Sequence, residues 1–385
     1  MTAQPRSFNY DGVEVFLPQV GKLQPGDILL TFNAISEAKK GRKVSQSIRS
    51  VTGGQFSHAL ICSAPPTFVE AIDTGVGTLS LALCFAHSVD HVRVLRYPDK
   101  AVARKAASLA QLEVGRDYSI ARAVGAVMPE AVVRRIKDRG IFCSALVSEV
   151  FAAAGAREFQ QMPSYRTTPA TLEKMTGLID ITAQVFEPGL APRNIERLSA
   201  LDGDRVFSPA SPQVEISNRY AKAVLNDAEF LARSYAPAEL DPKPSLNGML
   251  QFIIDGFDAA ARGEIPQQDI ERIDDRLAEL IGSGELIAVL REVQSRDEAS
   301  LRHNLAESFQ LVPDIDRTSL ENYLETSRGS LDLRQRSIRA IENKGSPSKA
   351  MNAYLPVDRL AIEHIARRIP VLEEILERLP PKGAT

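Results

Sequence analysis

Residues 139–155 read RGIFCSALVSEVFAAAG. Leu146, Val147, Val150, Phe151 and Ala154 fall at spacings of three and four, which predicts a helix with one apolar stripe. Gly155 stands where a left-handed C-cap would close that helix. Cys143 precedes Leu146 and Val147 by three and four residues, so it belongs to the first turn, on or at the edge of the buried face. A cysteine placed there has two readings. It packs, as free cysteines commonly do. Or it reacts, because the unpaired amides and the dipole at a helix start favour thiolate over thiol. A nucleophilic thiol also needs a base within hydrogen-bond reach, so the histidines have to decide.

There are five. His303 and His364 lie in helical sequence with charged neighbours and read as surface or ordinary helix residues. His87 and His91 frame HSVDH at a spacing that suits two metal ligands on a helix. His91 opens a strand-like run, however, and no third ligand is evident, so no metal and no cofactor are expected. His58 differs. It begins the strand-like run HALICSA, whose tip would project the imidazole from the end of a sheet. Twelve residues on, Glu70 lies in TFVEAIDTGV, a strand able to pair antiparallel with the first. A carboxylate beside His58 would orient the ring and support its charged form. Cys62, inside the His58 strand, and Cys84, in a mixed segment without a helix start, read as core residues.

The rest of the chain supplies the frame. Residues 1–20 read as an N-terminal arm. LQPGDILLTF gives a turn feeding an apolar strand, HVRVLRY alternates as a half-buried strand, and residues 99–113 carry alanines at helical spacing. A further helix is expected to open at Thr168 with Pro169 at its first position. After FEPGLAPRN the character changes to long helical patterns, such as the stripe Met249, Phe252, Ile253, Phe257 and Ala260. The expected architecture is α+β over residues 21–195, a proline-rich linker at 196–212, and an all-α domain at 213–385.

Composition bounds the function. The chain has 385 residues, enough for two cores. A net charge of −3 argues against bulk nucleic-acid binding. The charge is uneven, about +4 up to residue 190 and −7 after it. Three scattered cysteines form neither a disulfide framework nor a zinc pattern, which suits a reducing compartment. The first residues carry no basic-then-apolar leader, and no apolar run approaches the roughly 20 residues of a membrane helix. The expectation is a cytoplasmic protein, or one exported without a signal peptide.

The pieces LQPGDILL, FSHALI, FVEAIDTGV, VGRDYS and FCSALVSEVFAAAG, in that order, resemble the circularly permuted branch of the NlpC/P60 papain-like superfamily, closest to the YiiX/YebB-like cysteine hydrolases. In that branch the histidine strand precedes the cysteine helix, as here. The resemblance covers roughly residues 20–185. It implies a permuted papain-like fold with an antiparallel sheet and packed helices. It implies Cys143 as nucleophile, His58 as general base and then acid, and Glu70 as the ring-orienting group, with Asp73 the alternative carboxylate. Tyr118 of GRDYS matches an aromatic position near such clefts, and with Asp27 of the PGD turn it is expected at the substrate. The backbone amide of Cys143 would stabilise an oxyanion. The implied reaction is acyl transfer from an amide or ester of a peptide-like or lipid substrate. Basic runs at 39–43 (KKGRK) and 134–139 (RRIKDR) would draw in an anionic one. A second reading is a catalytically idle papain-like fold serving as a protein-binding module or effector scaffold. The helical half is expected to act as a lid, a partner platform or a dimerisation element.

Overall fold

The computed structural model describes residues 12–34, 46, 48–126, 140–191, 195, 198–203, 212–235, 240–308, 317–344 and 348–378. The basic runs at 39–43 and 134–139 lie outside these. The chain divides into two compact units, with the main break between residues 207 and 208, inside the expected linker. Residues 111–116 count with the second unit and residues 311–323 with the first.

The first unit is α+β. Its main sheet has six strands, β2 (Ile28–Thr31), β3 (His58–Ala64), β4 (Thr67–Ile72), β5 (Gly75–Ser80), β7 (Val92–Arg96) and β8 (Ile179–Asp180). Their spatial order is β5-β4-β3-β2-β7-β8, and every neighbouring pair is antiparallel. β2, ILLT, is buried along its whole length. A short uninterrupted apolar run is what a strand covered on both faces requires, and β2 lies between β3 and β7 accordingly. One core cluster brings together Leu29, Leu60, Cys62, Phe68, Val92 and Val94 from alternate strand positions with Ile181, Val185 and Phe186.

Two small sheets complete the unit and correct the expected boundaries. β1 (Glu14–Pro18), within the stretch read as an arm, pairs antiparallel with β9 (Phe186–Leu190). Val15 is fully buried there. β10 (Ser199–Ala200), within the stretch read as a linker, pairs in parallel with β6 (Cys84–Phe85). Both pairings join residues more than a hundred positions apart, which no local pattern announces.

The helices of this unit start as their sequences demand. In α1 (Lys100–Leu112), Asp99 Oδ1 accepts the N–H groups of Ala101 and Val102 at 2.8 and 3.1 Å. Ala103, Ala106, Ala107 and Ala110 are its buried face. Short α2 (Ile120–Gly125) precedes α3 (Cys143–Ala154) and α4 (Arg157–Gln160). In α5 (Pro169–Glu173), Thr168 and Thr171 form a reciprocal capping box with Pro169 at the first position. α6 (Thr182–Val185) leads into β9.

The second unit is built of helices: α7 (Pro212–Tyr235), α8 (Leu246–Ala261), α9 (Gln267–Gly282), α10 (Glu285–Ser308), most of α11 (Arg317–Lys344) and α12 (Lys349–Arg378). Its core contains Tyr220, Val224, Met249, Phe252, Ile253, Ile270, Ile273 and Leu277. Phe257 and Ala260 of the expected stripe are half-buried against it. Asp274 of α9, 1 % exposed, caps the next helix but two: it accepts Ser348 Oγ at 2.7 Å and the amides of Lys349 and Ala350 at 2.7 and 3.0 Å. A carboxylate facing the N-terminal amides of α12 satisfies both the orphan donors and the helix dipole. Among the described residues no helix is long and apolar enough to cross a membrane.

Candidate active site

Two elements of the first unit meet at the site. α3 begins at Cys143, after Phe142 in an extended conformation and with no side-chain cap. It ends at Gly155, whose φ of +102° places it in the left-handed region that a side chain disfavours. The helix is buried on most of its circumference, so its hydroxyls must find partners. Ser144 Oγ donates to the Thr167 carbonyl at 2.8 Å, and Thr167 Oγ1 donates to Ser148 Oγ at 3.1 Å. All three residues are fully buried. They fasten the first two turns of α3 and thereby fix where its N-terminus points.

The segment leading into Cys143 is fixed as tightly. Tyr118 and Ile141 form a parallel bridge, with Ile141 N–H donating to Asp117 O at 2.9 Å and Ser119 N–H to Ile141 O at 3.1 Å. Gly140 permits this crossing. A Cβ there would lie 2.7 Å from the Tyr118 carbonyl carbon and 2.8 Å from Asp117 O and Ser119 N, all backbone atoms that cannot swing aside. Gly140→Ala is therefore expected to destabilise the protein by about 1–3 kcal/mol, the usual cost of overpacking. A lowered urea midpoint and a slower reaction of Cys143 with iodoacetamide would register it; a midpoint equal to wild type would show that the crossing is not tight.

β3 supplies the imidazole. Leu60 stands directly opposite Glu70 in the β3–β4 register, which puts Glu70 diagonal to His58. His58 Nε2 and Glu70 Oε2 are 2.7 Å apart, with the carboxylate nearly buried and the imidazole partly open. Glu70 thus occupies Nε2 and leaves Nδ1 for the sulfur. The Cys143 side chain is hydrogen-bonded to His58, and the backbone N–H groups of Ala59 and Ser144 also point at the sulfur. Cys143 retains 7 % of its surface in solvent. Its own backbone N–H meets no acceptor among the described residues.

These contacts set the proton positions. Burial alone would push the Cys143 thiol up; the His58 charge, the hydrogen bond to His58 and the two amides outweigh it and bring the thiol below its ordinary value. Burial alone would pull His58 down; the Cys143 charge and hydrogen bond, with the Glu70 contact, overcome it and push His58 up to about 9. Each shift presupposes the other, so the pair titrates as a unit. Both shifts favour a thiolate beside an imidazolium, an arrangement able to attack a carbonyl carbon.

Other residues singled out in the sequence fall differently. Tyr118 is half-buried near the sulfur, and its hydroxyl is held neutral, raised first by burial and then by the Cys143 and Asp73 charges. Asp73 is exposed, and Glu70 rather than Asp73 holds the imidazole. Asp27 has partners of its own. It precedes β2, whose other end, Thr31, is the residue opposite His58. Its buried carboxylate receives Arg96 Nε at 2.8 Å, Arg96 Nη2 at 2.7 Å and the Gln24 N–H at 2.7 Å. These three hydrogen bonds pin the turn before β2. Cys62 is fully buried, and burial, then the Asp27 charge, push its thiol well up. Cys84 is 1 % exposed and donates to Ser80 O.

His87 and His91 do come together, on a partner the sequence did not single out. Asp202, from the expected linker, accepts His87 Nδ1 at 2.8 Å, His91 Nδ1 at 2.6 Å and the His87 amide at 2.9 Å. Its carboxyl is held below the usual range: burial would raise it, and the two histidine hydrogen bonds prevail. The bridge latches residues 199–203 to the β6–β7 connection. Among the described residues no group of three ligating side chains is set to hold a metal ion.

No family model, curated protein or solved structure matches this chain.

Proposed function

We propose that the first unit is a permuted papain-like cysteine hydrolase or acyltransferase acting on an amide or ester. The observation that carries the reading is His58 held between the Cys143 sulfur and the Glu70 carboxylate at one end of the sheet. In the reaction the Cys143 thiolate attacks the carbonyl carbon, and the electron pair of the C=O bond moves to oxygen. The Cys143 N–H at the helix start, without an acceptor among the described residues, would receive that oxyanion. His58 Nδ1 then delivers its proton to the leaving amine or alcohol, and a thioester remains. His58 next takes a proton from water, or from an acceptor alcohol or amine, as it attacks the thioester. The acid or transferred acyl product departs and the thiolate–imidazolium pair is restored. Glu70 keeps the ring in one orientation and supports its charge throughout. Peptide-like and lipid substrates remain equally compatible with this chemistry. For the helical unit we propose a partner-binding role.

The test is site-resolved labelling. Native protein treated with iodoacetamide near pH 7 is expected to carry one adduct, on Cys143, formed faster than on a free cysteine peptide, with Cys62 and Cys84 unmodified. A p-nitrophenyl ester should give a burst of nitrophenol and a transient acyl adduct on the same residue. An unreactive Cys143, or adducts spread evenly over the three cysteines, would defeat the proposal and leave the idle binding fold.

A further inference from the structure

The end of the sheet that carries the thiol and imidazole also carries a cation that the proposed reaction does not use. Phe32 follows Thr31, the residue opposite His58 in the β2–β3 register. The Arg49 guanidinium, from helical residues 48–52, lies over the Phe32 ring with its central carbon 4.2 Å from the centroid. His91 meets the same ring edge-on at 5.0 Å, and Phe56, two residues before His58, meets it at 6.1 Å. Arg49 Nε is buried and has no hydrogen-bond partner among the described residues. Among the described residues no carboxylate pairs with this guanidinium.

The neighbouring charges are already engaged. Arg93, over the Phe56 ring at 5.3 Å, is paired with Glu173 at 3.3 Å and Asp180 at 3.5 Å. Asp202, the buried anion nearest His91 in the hydrogen-bond network, is occupied by the two histidines. A buried donor left unsatisfied costs free energy. An arginine laid flat on an aromatic ring presents a pre-organised fork that matches the oxygens of a carboxylate or phosphate.

We propose that Arg49 receives a carboxylate or phosphate oxyanion belonging to the substrate of Cys143. The inference rests on the acyl-transfer reading and deepens it: the amide or ester cleaved is anionic, with its charge set apart from the scissile carbonyl. Phe32 is one strand over and one residue on from His58. The spacer between carbonyl and anion is set by the span from thiol to guanidinium.

The test uses the full chain and alkylation alone, so that turnover is not required. The probes are N-iodoacetyl ω-amino acids of increasing length, each beside its methyl ester, and N-iodoacetyl aminoalkyl phosphates, each beside its neutral alcohol. At one chain length the anionic probe is expected to alkylate Cys143 about tenfold or more faster than its neutral counterpart, the size of a charge-assisted hydrogen bond. Arg49→Gln should bring that ratio to about one, and Arg49→Lys should keep part of it. The larger ratio, carboxylate or phosphate, identifies the oxyanion. Equal rates for charged and neutral probes at every length overturn the anion subsite and leave the reactivity of Cys143 standing. So does a preference that survives in Arg49→Gln. A Cys143 that reacts no faster than a free thiol with any probe removes the acyl-transfer reading, and this one with it.

Discussion

Cys143→Ala should reduce kcat/KM toward any ester or amide the protein turns over by about 10⁴-fold or more, because removing a nucleophile leaves only binding and oxyanion stabilisation. The structural cost of the change is small. Cys143 occupies the first helical position of α3, 7 % exposed, and alanine there fills most of the same space and favours the helix. Far-ultraviolet circular dichroism and the urea midpoint should therefore stay close to wild type, which separates lost chemistry from lost fold. Cys62 and Cys84 cannot stand in, since both are sealed in the core. A variant that keeps more than a tenth of its activity would show that the sulfur is packing and not a reagent.

The pH dependence carries the second large effect. Hydrolysis needs the Cys143 thiolate and the His58 proton together, so kcat/KM should rise with the formation of the pair and fall as His58 deprotonates. With His58 pushed up to about 9, the falling limb should lie near pH 9, well above that of an ordinary imidazole. Glu70 raises His58 through its hydrogen bond and its charge. Replacing it by glutamine removes the charge and keeps the shape, so the falling limb of Glu70→Gln should move to lower pH. A loss of about one pH unit corresponds to about 1.4 kcal/mol of support for the imidazolium. Iodoacetamide alkylation, which needs no proton donor, should not fall at high pH in either protein. A falling limb that stays near pH 9 in Glu70→Gln would show that the carboxylate does not act on the ring.

The local elements were legible because each is written in a short periodic pattern. α3 and its Gly155 cap, the strands at His58 and Glu70, the helix start at Thr168 and the alanine face of α1 all follow from spacing within a dozen residues. The antiparallel meeting of the His58 and Glu70 strands follows as well, since a two-residue turn leaves hardly another option. The strands inside the expected arm and linker are illegible for the same reason in reverse. EVFLP, at 14–18, is too short to declare itself, and it becomes a strand only because 186–190 pairs with it.

Spacing along the chain says which residues begin a helix, which line a strand and which cysteine stands at a helix tip, because backbone geometry turns spacing into a face. The partners come only with the packed fold. It brought Cys143 to His58 and the Ala59 amide, gave Asp27 to Arg96, joined His87 and His91 through Asp202, and laid Arg49 on Phe32. Periodicity says which side of an element is buried. Which distant side chain waits there is settled by how whole layers pack, and that depends on the entire chain at once.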